Sequence, residues 1–205
     1  LDENGDNLIY PEGDASAQPS GKMPRTGYFF DNIIRQEPIN ENDLDPERNL
    51  EEFKVLTEKD LNYWKDQISN IAGTKKGVIA NFGGTAIGDI SHVPAASLKN
   101  PKGIRDIVEW YMSTISRPDY IKYVFEKQTD IALENFRLLN EIVGDEIEAL
   151  FLCGTDFGTQ NSQFCSLETF NALYLPYYIK MNNWIHVNTT WKTMKHSCGA
   201  IEPFM

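Results

Sequence analysis

Three short apolar runs, each closed by glycine and a polar group, alternate with amphipathic stretches over residues 77–199, and this alternation constrains the fold most. The runs are "GVIANFGG" (77–84), "IEALFLCGTDFG" (147–158) and "TWKTMKHSCG" (190–199). Between them, apolar residues recur at helical spacing. Ile121, Val124, Phe125, Ala132, Phe136, Leu139 and Val143 form one stripe, ended by Gly144. Ser116, Pro118 and Asp119 suit the start of that helix. Two earlier helices are expected over 50–72 and 101–115, the first with a break near Thr57. Ser166 caps a later helix that runs to about Val187 and bends at Pro176, which cannot donate a backbone hydrogen bond. Alternating strands and helices imply a parallel sheet with helices outside it. An open doubly wound sheet and a closed eight-fold barrel both fit this pattern.

Residues 1–48 are different. Pro11, Gly13, Pro19, Gly21, Pro24, Gly27, Pro38 and Pro46 break them into short pieces. Asn4-Gly5 reads as a hairpin turn and "GYFFD" (27–31) as a strand, so this part is expected to be a hairpin and loop-rich excursion. Residues 49–205 then form the α/β part. The chain opens on Leu1 in a turn and stops soon after "HSCG", and we expect it to be a fragment of a longer polypeptide.

Charge and cysteine content narrow the function classes. The formal net charge is −11, which disfavours phosphate backbones and so nucleic acid as a partner. No apolar run approaches the ~20 residues that span a bilayer, and no signal-peptide pattern is present, so no membrane partner is expected. Cys153, Cys165 and Cys198 lack the spacing of a disulfide framework, which points to a reducing, cytoplasmic setting.

In parallel α/β folds, functional groups gather at the carboxyl ends of strands. Three such ends stand out: Gly83-Gly84-Thr85 with Asp89 and His92, Thr155-Asp156-Phe157-Gly158 with Gln160, and His196-Ser197-Cys198-Gly199. Residues two apart on a strand share a face, so His196 and Cys198 are expected to project together. Imidazole nitrogen and thiolate sulfur are zinc ligands, at ~2.0–2.1 and ~2.3 Å. A buried cysteine beside a hydrogen-bonded histidine is the competing reading. Asp156 either works on a substrate, as a base or by orienting a ligand, or caps local backbone. Cys153 is expected to face the core, Cys165 is a weaker ligand candidate, and His92 either lines the pocket or sits on the surface. "NFGGTAIG" lacks the G-x-G-x-x-G order of a dinucleotide turn.

"GTDFGTQNSQFCSLETFNALYLPYYIKMNNWIH" followed by "KTMKHSCGAI" resembles the uroporphyrinogen decarboxylase family. Asp156, Gly158, Gln160, Ser166, Phe170, Pro176 and Lys180 fall in the order of that family's pattern. The resemblance implies a TIM-type (β/α)8 barrel, present here as a fragment. It also implies one of two chemistries. Decarboxylases of the family remove acetate carboxyls from a tetrapyrrole without a cofactor. Corrinoid-dependent methyltransferases hold zinc by His-x-Cys and a later cysteine. "HSCG" matches the second branch, and "GGTAIGDI" lacks the tyrosine of the first.

The resemblance therefore implies a zinc enzyme that moves methyl between a corrinoid (cobalamin) protein and a small thiol. His196 and Cys198 are then the metal ligands, Asp156 the catalytic group, and Gln160, Gly83 and Gly84 substrate contacts. The third ligand is expected beyond Met205, so that residues 1–205 alone bind zinc weakly or not at all. A porphyrin-pathway decarboxylase is the alternative, and a non-catalytic corrinoid-binding protein the third reading. A homo-oligomer stays open.

Overall fold

The computed structural model describes residues 1–205 other than Ala72 and Cys153, so the expectation for Cys153 lies outside the described residues. Those residues form five α-helices and two three-stranded sheets. The first sheet is antiparallel, in the order β1 (Asn7–Ile9), β2 (Gly21–Met23), β3 (Asp31–Asn32). The second is parallel, in the order β4 (Ile79–Ala80), β5 (Ala149–Leu152), β6 (Lys192–Lys195). Its register pairs Ile79 with Ala149 and Leu152 with Lys195.

The expected eight-fold barrel is not there. The parallel sheet has β5 at its centre and leaves β4 and β6 as edges, so it does not close on itself. Its two faces also differ. Leu150 and Leu152 are buried in the common core, whereas Ile79 and Met194 are 56% and 44% exposed. A small α/β domain is what the residues build. Strand number and closure are non-local properties, and a β/α alternation over three strands does not encode them.

Helices α1 (Glu58–Ile71), α2 (Ile107–Ser116), α3 (Pro118–Val143), α4 (Leu167–Leu173) and α5 (Leu175–Asn188) supply the second layer. Helix α3 is the spine. Ile121, Val124, Phe125, Ala132, Phe136, Leu139 and Val143 are all buried, and α3 packs on both α1 and α5. Gly144 ends it at φ 51° and ψ −128°, a backbone conformation that glycine adopts freely and L-residues avoid.

Local signals account for most boundaries. Thr57, just before α1, and Asp60, in its first turn, exchange hydrogen bonds in the manner of a capping box. The helix expected over 50–72 therefore starts only at Glu58, after a short 3-10 turn at Pro46–Asn49. Asp106 caps α2 by accepting from Glu109 N–H at 2.8 Å, so that helix starts later than 101. Ser116 closes α2 instead of capping α3. Ser166 caps α4 as expected, and the chain breaks at Tyr174, two residues before Pro176, before α5 begins.

The N-terminal sheet departs from expectation in detail. Asn4-Gly5 turns within residues 2–6 and does not join two strands, since β1 pairs with β2. Tyr28, Phe29 and Phe30 are exposed and lie outside β3. Polar clasps tie this region to the rest. The buried Arg35 donates to the carbonyls of Leu98 and Ala95 at 2.6 and 2.8 Å. Arg105, 1% exposed, donates to the Arg48 carbonyl at 2.8 Å and is held by a two-pronged pair with Glu52 at 2.7 and 3.1 Å. No helix of the described residues is long and apolar enough to cross a membrane.

Candidate metal centre

The exits of β5 and β6 carry the site. Strand β6 ends at Lys195, so His196 and Cys198 lie in its exit loop and the same-face rule for strands does not apply to them. They meet nonetheless: His196 Nε2 is 3.0 Å from Cys198 Sγ. The β5 exit brings Asp156 to the same place, where its Oδ1 accepts from Cys198 N–H at 2.7 Å. One donor atom from each of Asp156, His196 and Cys198 can be chosen so that all three lie within 4.8 Å of one another.

Two glycines make this approach possible. A Cβ on Gly154 would fall 1.3 Å from the carbonyl oxygen of His196, and one on Gly199 (φ +95°) would fall 2.2 Å from the carbonyl of Gly158. Backbone sits on backbone at both points, so no side chain can yield. Further bonds lace the loops together. Ala200 N–H donates to Thr159 O at 2.8 Å, and Phe157 N–H donates to Ser197 Oγ at 3.2 Å.

Beneath Asp156 the support is rigid. Phe157 is 2% exposed and sits edge-on to Phe170 and Tyr174, at 5.1 and 4.9 Å between ring centroids. Phe204 stacks on Phe170 at 4.5 Å and returns the C-terminal turn to the same cluster. Thr155, fully buried, shares a 2.7 Å hydrogen bond with the Tyr178 hydroxyl. Asp156 N–H donates to Asp89 Oδ2 at 2.9 Å, and Asp89 Oδ1 accepts from Ser91 N–H at 2.9 Å. Asp89 is 5% exposed and has no ion-pair partner among the described residues.

The electrostatics follow from these contacts. The Asp156 carboxylate beside Cys198 pushes its thiol up, chiefly because it accepts a hydrogen bond that only the protonated thiol can donate, with desolvation and the negative charge adding to the effect. Burial pushes the Cys165 thiol up to about 11, which makes it a poor ligand. Lys195 lays its ammonium over the Tyr178 ring, 3.3 Å from the centroid. The residue as a whole is exposed, but packing around the ammonium costs it solvation and pulls it down to about 8.

The other expected site residues go elsewhere. Gln160 is exposed on a turn closed by Thr159 N–H to Ser162 O at 2.8 Å. Gly83 and Gly84, both at φ +76°, have open space around them and line a cavity of about 550 Å3 with Phe53, Phe82, His92 and Gln128. Asp156, His196 and Cys198 do not line it. Ser91 does, so Asp89 links the cavity wall to the metal-ligand group.

Sequence reasoning placed Asp89 at a strand end without a role, and it missed Tyr111. The Tyr111 hydroxyl is shielded, has no hydrogen-bond partner among the described residues, and feels the charges of Asp89 and Asp156. Nothing in the helical pattern around Tyr111 signals this. No protein-family model, curated protein or solved structure matches the chain.

Proposed function

We propose that this chain is a zinc-dependent methyltransferase that passes methyl from a corrinoid on a partner protein to the sulfur of a small thiol. The observation that carries the reading is the convergence of the Asp156, His196 and Cys198 donors. Imidazole nitrogen and thiolate sulfur suit zinc, and a catalytic site keeps one position open beside its protein ligands. His196 and Cys198 would hold the metal. Both are exposed, so a thiol has access to the remaining side. Zinc bound there would keep a coordinating thiol deprotonated and nucleophilic at neutral pH. The chain's own residues position the pair: Asp156 fixes the Cys198 backbone, and Ser197 holds the turn through Phe157 N–H. In such a transfer the cobalt–carbon bond would break with its electron pair left on cobalt, the thiolate sulfur would form the new bond to carbon, and the thiol proton would pass to solvent. The match of "HSCG" to the corrinoid-dependent methyltransferase branch of the family the chain resembles supports the same reading.

The decarboxylase reading has less support. A tetrapyrrole with several carboxylates needs free cations around it. Arg48 is paired with Asp43, Arg105 with Glu52, Arg117 with Glu41 and Glu109, and Arg137 with Glu134 and Glu141. Arg35 is spent on backbone carbonyls.

The test is to measure zinc content and to assay a methylated corrinoid with a thiol for thioether formation. About one zinc per chain and thioether formation that stops in Cys198→Ala are expected. A metal-free protein that releases carbon dioxide from a tetrapyrrole would overturn the reading.

A further inference from the structure

We infer that Asp156 is the third protein ligand of the metal, so that the binding set is complete within residues 1–205. The inference rests on the metal reading of His196 and Cys198 and extends it to a carboxylate 40 residues earlier in the chain. A third ligand beyond Met205, as the family resemblance implies, is then not required for binding.

The geometry supports a ligand role. In a tetrahedral zinc site, nitrogen, oxygen and sulfur donors stand roughly 3.3–3.6 Å apart, given metal–ligand distances of about 2.0–2.3 Å. The His196 Nε2 to Cys198 Sγ distance is 3.0 Å, and the three donors all lie within 4.8 Å. Small rotations of two exposed side chains span the difference. Asp156 is held more firmly. Its main-chain N–H is tied to the buried Asp89, and the ring of Phe157 anchors the next residue in the core.

The charges point the same way. Asp156 and Cys198 are two potential anions placed side by side, with buried Asp89 behind them. Asp156, like Asp89, has no ion-pair partner among the described residues. A divalent cation between carboxylate and thiolate turns that repulsion into shared coordination. One hydrogen bond from Cys198 N–H does not use up the carboxylate, which offers about four lone-pair sites. A purely structural clasp is the competing account, in which Asp156 only accepts that hydrogen bond.

Cobalt(II) titration of the full chain separates the accounts, because a cobalt–thiolate bond gives a near-ultraviolet charge-transfer band. One-to-one binding with that band is expected for the unsubstituted chain. Asp156→Asn keeps the shape and an oxygen acceptor for Cys198 N–H but removes the charge. It is expected to weaken cobalt binding about 100-fold while the band persists at saturation. Asp156→Cys is expected to bind and to strengthen the band, since a second thiolate joins the metal. Asp156→Asn binding as tightly as the unsubstituted chain, with Cys198→Ala still losing the band, would overturn the ligand role and leave the His196–Cys198 reading intact. No band from the unsubstituted chain would overturn both.

Discussion

The exit of β4 and the exits of β5 and β6 use glycine for opposite ends. At Gly83 and Gly84 the backbone turns through positive φ into open space, and a cavity of about 550 Å3 stays beside it. At Gly154 and Gly199 the missing Cβ lets two loops lie backbone on backbone. The first pair keeps a space open. The second closes one until an aspartate, a histidine and a cysteine meet. In the sequence all four look alike, as glycines at the ends of apolar strands. What differs is the partner that each backbone faces.

This contrast can be broken most severely at Gly199. Gly199→Ala places a methyl 2.2 Å from backbone and at φ +95°, and is expected to cost about 3 kcal/mol or more. A denaturant melt should show the loss, and cobalt binding should disappear with it. A smaller effect is expected behind the ligand group. Asp89→Asn weakens the hold on Asp156 N–H and is expected to lower metal affinity about ten-fold with the fold intact, read by the same titration. The smallest effect belongs to the open exit. Gly84→Ala meets nothing within 4 Å but stays at φ +76°, so a cost of about 1–2 kcal/mol in stability and unchanged metal affinity are expected. Equal damage at Gly84 and Gly199 would remove the distinction between the two exits.

Parts of the fold were legible where a few neighbouring residues decide the outcome. The α3 stripe, its stop at Gly144, the Ser166 cap and the break ahead of Pro176 all follow from contacts within a turn or two. Other local signals misled. "GYFFD" has strand-like composition, yet its three aromatic side chains are exposed, because β3 pairs only through Asp31 and Asn32. Ser116 stands before a proline, yet belongs to the preceding helix. The site was half legible. His196 and Cys198 lie two residues apart, but they converge in a loop, where strand alternation has no force. Gln160 shared a motif with Asp156, and Gly83 and Gly84 stood at a strand end of their own; the structure puts all three outside the metal-ligand group.

By itself, the order of residues determined that strands and helices alternate, that α3 has one apolar side, and that a histidine and a cysteine stand two residues apart near the end of an extended run. Spacing at 3.6 and 2 residues and the chemistry of caps act over short range and can be read from the chain. Only the tertiary structure decided that the parallel strands remain an open three-stranded sheet and that Asp156 reaches Cys198 across 42 residues. Those outcomes depend on which distant backbones touch, and a glycine states only that contact is allowed, not with what.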